Sequence, residues 1–399
     1  MTRPPSDQAI RDRVVSDFDT TLLLEAGAGT GKTTVLVRRI VALLRKGRAS
    51  IDRVAAITFT EKAAGELKVR LREELEGAAA EASDPEEQKR LRAASLGLDR
   101  AMVTTIHSFA LAVLRERPFE AGLDPGFRVA ADVKGERSLD QAWDDWIDVR
   151  LTAGDPAFVE ALHLGVSLTD LREAGRLMIA ERDILGRVVG GAQAVDPESF
   201  RQSVRRAAGR LGPLKVECQD ETDGALASIE ALEGFADRCQ RAEGASLRSQ
   251  LLSLKINPQK GNQKAWRSKE TRKQVKDDLT RLRDEKEAFV QAVEEGAAVA
   301  LRNRLTEFLA FFQDRQREDA LVDFQGLLLE ARNVLAREKP VRRYFQERLD
   351  ALLIDEFQDT DPLQVELAAL LACRPGMPPA RWTEAEVEPG RLFFVGDPK

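Results

Sequence analysis

The sequence predicts an α/β fold, a parallel sheet with helices on its faces, interrupted by a large all-helical insertion. Three observations predict it. Residues 20–34, TTLLLEAGAGTGKTT, run from a short apolar stretch through a Gly-rich loop into a helical pattern. Strand-like segments alternate with helical ones near both ends of the chain, which is the signature of parallel strands joined by crossover helices. The long middle, from Pro118 to about residue 318, shows helical periodicity alone.

In chain order, TLLLE (21–25) reads as the first strand and residues 32–46 as the helix after the loop. RVAAITFT (53–60) is a second strand, followed by a helix over roughly 61–80. MVTTIHSF (102–109) is a third strand running into LAVLRE. Beyond Pro118, segments such as LDQAWDDWIDVRL and LTDLREAGRLMIAERDIL are amphipathic helices. Breaks at Pro156, Gly190 with Gly191, Pro213 and Pro258 separate them. Strand logic returns at ALLIDEF (351–357) and RLFFVGD (391–397). The simplest organisation is one α/β domain in two parts, 1–117 and 319–399, around a helical insertion over 118–318.

The 399 residues suffice for two or three domains. The 61 Lys and Arg against 67 Asp and Glu leave a net charge of −6, so nucleic-acid binding would need a local groove. No apolar run reaches membrane-spanning length, and MTRPPSDQ lacks the apolar core of a secretion signal. The expected compartment is the cytoplasm, with no membrane partner. Cys218, Cys239 and Cys373 are unclustered and read as reduced, buried thiols. His107 and His163 are the only histidines, too few for a histidine-rich metal centre.

The Gly-rich loop carries the chemistry. A strand, a glycine loop and a helix start in that order make a phosphate cradle, with backbone N–H groups and the positive helix end aimed at one spot. The signature is G-x-x-x-x-G-K-S/T, and here a small residue, Ala26, holds its first position. Ala26, Gly27, Ala28, Gly29, Thr30, Gly31, Lys32, Thr33 and Thr34 are the candidate ATP contacts. Lys32 supplies a mobile charge and Thr33 a hydroxyl for Mg²⁺. Far downstream, LLIDEF ends an apolar strand in two acids. Asp355 is the second candidate Mg²⁺ ligand, and Glu356 the candidate base that accepts a proton from the attacking water.

Six segments occur in the order of a known family: AGAGTGKTT (26–34), ITFTEKAAGELKVRL (57–71), TTIHSFALAVLR (104–115), LVDFQGLL (321–328), LLIDEFQDTDPLQ (352–364) and LFFVGDPK (392–399). The chain resembles superfamily 1 DNA helicases of the UvrD/Rep class, including their RecB- and AddA-like members. The length of the helical middle is nearer to the latter. The resemblance implies a RecA-like P-loop NTPase domain and ATP-driven translocation on single-stranded DNA, in the 3′ to 5′ direction. Repair or recombination, duplex junctions as substrate and, in the RecB/AddA-like case, a partner subunit come with it. It also implies that Lys32 binds the β- and γ-phosphates, that Asp397 lies near the γ-phosphate, and that Gln358 senses the nucleotide.

DNA contacts are implied for Phe59, Thr60 and Ala63 after the second strand, and for His107, Ser108 and Phe109 at the end of the third. The chemistry suits them, since a hydroxyl at a helix start meets phosphate and an aromatic ring meets a base. Gln8 matches a glutamine that reads the adenine edge in the family. SDQAIRDRV equally fits a variant in which Asp7 and Arg11 are the fixed positions, and both readings stay open. The stretch 255–276, with eight Lys/Arg, one acid and Trp266, fits a surface that tracks phosphates and stacks a base; it also fits a solvated loop and helix start. In the family the LFFVGDPK motif continues into a glutamine, and a second motor domain supplies arginines across the cleft. The chain is therefore expected to be an N-terminal fragment with little activity alone.

Overall fold

Short strands alternate with helices in the computed structural model, which describes residues 7–27, 29–130, 132–185, 196–374 and 382–398. Among the described residues the strands are β1 (Leu22–Glu25), β2 (Val54–Thr58), β3 (Met102–Thr105), β4 (Arg128–Val129), β5 (Leu321–Val322), β6 (Ala351–Ile354) and β7 (Leu392–Gly396). Five form one sheet in the order β1-β7-β6-β2-β3, every neighbouring pair parallel. The chain divides into two units, Met1–Arg137 with Asp314–Lys399, and Ser138–Gln313.

The first unit follows from strand periodicity. In β2, Val54 and Ala56 face one core and Ala55 and Ile57 the other; β6 repeats this with Ala351 and Leu353 against Leu352 and Ile354. Successive side chains point to opposite faces, so strands apolar at every position must be covered on both. One face is covered by α2 (Lys32–Arg45), α3 (Glu61–Glu81) and α4 (Pro85–Leu96), with α1 (Gln8–Ser16) against α2. The other is covered by α5 (Ile106–Glu116) and three helices after the middle of the chain. Gly390, in the turn before β7, has φ +76°, and a side chain there would meet the Phe18 carbonyl. Only glycine allows this approach.

The second unit is helical. It holds most of α6 (Asp132–Thr152), then α7 (Pro156–His163), α8 (Leu168–Ala180), α9 (Pro197–Leu211), α10 (Gly224–Cys239), α11 (Gly244–Ser253) and most of α12 (Lys269–Glu318). Trp143, Trp146, Phe158 and Phe308 meet edge-on or tilted, with centroids 5.0–5.8 Å apart. That geometry suits the ring quadrupoles. A second core gathers Phe200, Ile229, Leu251, Trp266 and Phe289. The remaining helices, α13 (Phe324–Arg337), α14 (Lys339–Glu347) and α15 (Pro362–Ala372), return to the first unit.

At four points the structure differs from the sequence reading or adds to it. The division into units falls at 137/138 and 313/314, whereas the sequence put the change at 118 and 318. The reason is a short ribbon unseen in the sequence: β4 pairs with β5, and Phe127 and Val322 join the sheet's core. The third strand ends at Thr105 rather than Phe109, because the Thr105 hydroxyl accepts the Ser108 N–H and starts α5. A separate helix, α4, follows the one expected over 61–80. Trp266 is 5% exposed and its Nε1–H donates to Asp223 at 3.2 Å, so its ring cannot stack a base. The break at Gly190 and Gly191 lies outside the described residues.

Candidate nucleotide site

A parallel sheet brings the C-terminal ends of all its strands to one edge, and ligands of open α/β sheets collect there. Along this edge lie, in spatial order, the loop after β1, Asp397 after β7, Asp355 and Glu356 after β6, Phe59 to Glu61 after β2, and the start of α5 after β3. Residues separated by most of the chain thus meet.

The loop after β1 is tied at both sides. Ala26 donates its N–H to Gly396 O at 3.0 Å, joining it to the end of β7. Thr30 closes a turn, its N–H and hydroxyl both reaching Gly27 O at 3.3 and 2.7 Å. Gly31 then sits at φ +89° and caps α2 without any side-chain bond. At Gly27 and Gly29 nothing lies within 4 Å of where a side chain would begin, so the loop's outer face is open. Ala28 lies outside the described residues. Lys32 and Thr33 are half-buried in the first turn of α2, and Thr34 is exposed.

Lys32 is the electrostatic centre. Its side chain is 10% exposed, and its ammonium is paired with Asp397 and stands 3.9 Å from Glu356. A cation so buried requires counter-charge. Glu356 adopts φ +55°, ψ +44°, a left-handed conformation uncommon outside glycine and asparagine and frequent where strain serves a site. Gln358 accepts the Asp397 N–H at 2.8 Å and donates to Glu356 at 2.7 Å and to Asp359 at 3.0 Å. One amide thereby joins the ends of β6 and β7. Burial pushes the Asp355 carboxyl above its ordinary range; the Glu356 N–H, which it accepts at 3.0 Å, and the Lys32 charge pull the other way.

On α1 the Gln8 amide donates to Asp12 at 2.7 Å, one turn along the same helix. Arg11 instead turns to the loop, donating to Thr30 O at 2.9 Å while held by Asp7.

The candidate DNA residues divide. Phe59 is 61% exposed, Thr60 is exposed and Ala63 half-buried, with the Thr60 hydroxyl capping α3 through the Ala63 N–H at 3.1 Å. His107 is half-buried, edge-on to Phe324 at 5.5 Å, and burial lowers its pKa. Ser108 donates its hydroxyl to Glu61 at 2.7 Å. Phe109 departs from expectation: at 1% exposure it is a core residue and has no face to offer DNA. It points inward because α5 starts at Ile106, which turns its residues onto the sheet.

Two residues escaped the sequence reading. Glu61 accepts from Thr105 at 2.8 Å as well as Ser108, tying the first turns of α3 and α5. Arg39, 1% exposed, donates to Val14 O and to Asp17 O at 2.8 Å and lies 4.7 Å from the Phe393 ring centroid. Arg11, named only in an alternative, touches the loop. For Arg39 a signal existed, since it lies three residues from Leu36 and four from Leu43, on the apolar side of α2.

The profile of the family described as UvrD/REP helicase N-terminal domain matches residues 7–399. The A subunit of the ATP-dependent helicase/nuclease of Geobacillus kaustophilus is 27% identical over 95% of this chain and 34% of its own length. The protein of the same name from Exiguobacterium sibiricum is 26% identical over the same shares. That of Latilactobacillus sakei is 25% identical over 99% of this chain and 48% of its own length. The chain thus spans a third to a half of the relatives it matches.

Proposed function

The chain belongs to the UvrD/REP helicase N-terminal domain family, and from that premise we propose that it carries the ATP-binding part of a DNA helicase acting in repair or recombination. The family implies a RecA-like fold. In this reading the loop 26–34 is the phosphate loop, and the helical unit is an insertion into the motor domain. The whole protein moves 3′ to 5′ along single-stranded DNA in the cytoplasm. The relatives' name suggests that it works with a partner subunit.

The observation that carries the reading is Lys32. It stands in the first turn of an uncapped helix, nearly buried, between carboxylates from the ends of β6 and β7. A terminal phosphate would take the place of those acids as its counter-charge, while the helix end and loop N–H groups hold the remaining oxygens. Thr33 and Asp355 offer a hydroxyl and a carboxylate, hard oxygen donors that fit Mg²⁺, which when bound neutralises phosphate charge. Glu356, oriented by the Gln358 amide, would accept a proton from water. Asp397, whose N–H is bonded to the same amide, would face the terminal phosphate. Gln358 would then couple occupancy of the nucleotide to both acids. Phe59 would stack a base and Thr60 meet a phosphate, with His107 and Ser108 beside them on the same sheet edge.

The test measures binding of a fluorescent ATP analogue with Mg²⁺, and ATP hydrolysis with and without a single-stranded oligonucleotide. The analogue should bind, Lys32→Ala should abolish binding, and the oligonucleotide should raise hydrolysis. An analogue that fails to bind, or binds equally well to Lys32→Ala, would sink the reading.

A further inference from the structure

We propose that Arg11 is a positioning residue for the loop after β1, held in place by Asp7 and carried on a helix that Arg39 anchors. Its effect on nucleotide affinity rests on the reading above; its effect on the loop does not.

The chain of contacts runs through bonds already built into the fold. The Arg11 Nε and Nη2 donate to Asp7 Oδ2 at 3.0 and 2.8 Å, and Nη2 also donates to the Thr30 carbonyl at 2.9 Å. A pair four residues apart on a helix is ordinarily a weak surface feature. The bond to Thr30, 19 residues away, is what sets this one apart. The N–H and hydroxyl of Thr30 are both spent on Gly27 O, closing the turn from inside. The Thr30 carbonyl takes no part in that turn, and Arg11 binds it.

The consequence is geometric. The peptide joining Thr30 to Gly31 is planar and trans. Fixing its carbonyl toward Arg11 therefore fixes the Gly31 N–H on the opposite side. Gly31 has φ +89° and no side chain, and Arg11 Nη1 lies 3.4 Å from where one would begin. Without this bond, the glycine on one side of the peptide leaves little to stop it rotating. A loop that must keep several N–H groups aimed at one ligand gains affinity when it is pre-organised.

Arg11 can act only if α1 is itself fixed. Arg39, from the middle of α2, donates to the carbonyls of Val14 and Asp17 at the C-terminal end of α1 and lies over the Phe393 and Phe18 rings at 4.7 and 5.7 Å. The helix is thus tied to α2 at one end and to the loop before α2 at the other. Lysine cannot replace the Arg11 fork, which spans two acceptors at once.

The experiment uses the whole chain in three forms: wild type, Arg11→Ala and Arg11→Lys, with Arg13→Ala as a control on the same helix. Hydrogen exchange of the loop amides is measured without nucleotide, and the Kd for Mg·ADP is measured in parallel. Arg11→Ala should speed exchange at residues 29–31 and weaken ADP on the order of tenfold, the size of one charge-assisted hydrogen bond. Arg11→Lys should fall between, and Arg13→Ala should leave both unchanged. Unaltered exchange in a folded Arg11→Ala or Arg11→Lys overturns the proposal, as does faster exchange with an unchanged Kd. A wild type that binds no ADP refutes the nucleotide reading instead, and the exchange arm still decides the loop.

Discussion

Three helices begin at the same sheet edge, and they begin differently. α3 and α5 open on Thr60 and Thr105, whose hydroxyls accept the Ala63 and Ser108 N–H groups. α2 opens on Gly31 with no side-chain cap. A helix start leaves four N–H groups without partners inside the helix. At α3 and α5 one of these N–H groups is taken by a side chain of the protein; at α2 no side chain takes them, and they lie beside a nearly buried lysine. The same contrast separates the aromatic residues. Phe59, after β2, stands 61% exposed, while Phe109, four residues into α5, is 1% exposed.

Several substitutions would break or sharpen that contrast. The largest effect belongs to Lys32→Ala, which should lower ATP turnover by about 10²-fold or more, in line with removal of a group that stabilises developing charge. It should leave the melting temperature near that of the wild type. Next comes Phe109→Ala, expected to cost about 3–5 kcal/mol in denaturant unfolding; Phe59→Ala should cost almost nothing in the same assay but weaken binding to single-stranded DNA. Equal losses at both positions would erase the distinction between core ring and surface ring.

Gly31→Ala should destabilise the fold by about 1–2 kcal/mol, the strain of a left-handed residue with a side chain. Thr105→Ala should cost about 1 kcal/mol for the lost cap and leave the affinity for Mg·ADP unchanged. A marked loss of nucleotide binding in that variant would mean that the three helix starts are not functionally separate.

The smallest effect is a pH dependence. The Ser108 and Thr105 hydroxyls hold the Glu61 carboxyl below its ordinary value of 4.5. A group with a depressed folded pKa adds stability above its unfolded pKa and loses it as pH falls through the folded one. Wild type should therefore lose stability more steeply than Glu61→Gln below about pH 4.5. Parallel curves for the two proteins would remove Glu61 as the tie between α3 and α5.

The sheet edge was largely legible in the sequence. Strand-like segments of five to eight residues, alternating with helical ones, announced the parallel sheet and most of the residues that follow its strands. What was not legible was direction. Ile106 and Phe109 extend the β-branched and apolar positions of MVTT, so nothing in the string separates a strand of eight residues from a strand that turns into a helix. The Thr105 hydroxyl decides it, and with it the burial of Phe109. Trp266 is a parallel case. The cations close to it in sequence left a base-stacking ring open, yet Asp223, a distant residue, draws its N–H inward. The aspartate keeps its charge, since the N–H groups of Asn262, Leu226 and Ala225 outweigh its burial.

By itself the sequence determined the five strands of the parallel sheet, the spacing of the glycine loop before α2 and the acids that follow β6. These follow from local periodicity and from glycine, lysine and carboxylate at short range, where neighbours in the chain are neighbours in space. The tertiary structure alone decided that Lys32 faces Asp397 and Glu356, that Gln358 joins two strand ends, and that Arg11 rather than Gln8 reaches the loop. The Lys32–Asp397 pair depends on β1 and β7, from opposite ends of the chain, lying side by side; the Gln358 bridge depends on the pairing of β6 with β7, and the Arg11 contact on the packing of α1 against α2. Pairing is set by burial of both sheet faces at once, a property of the assembled layers that no single segment carries.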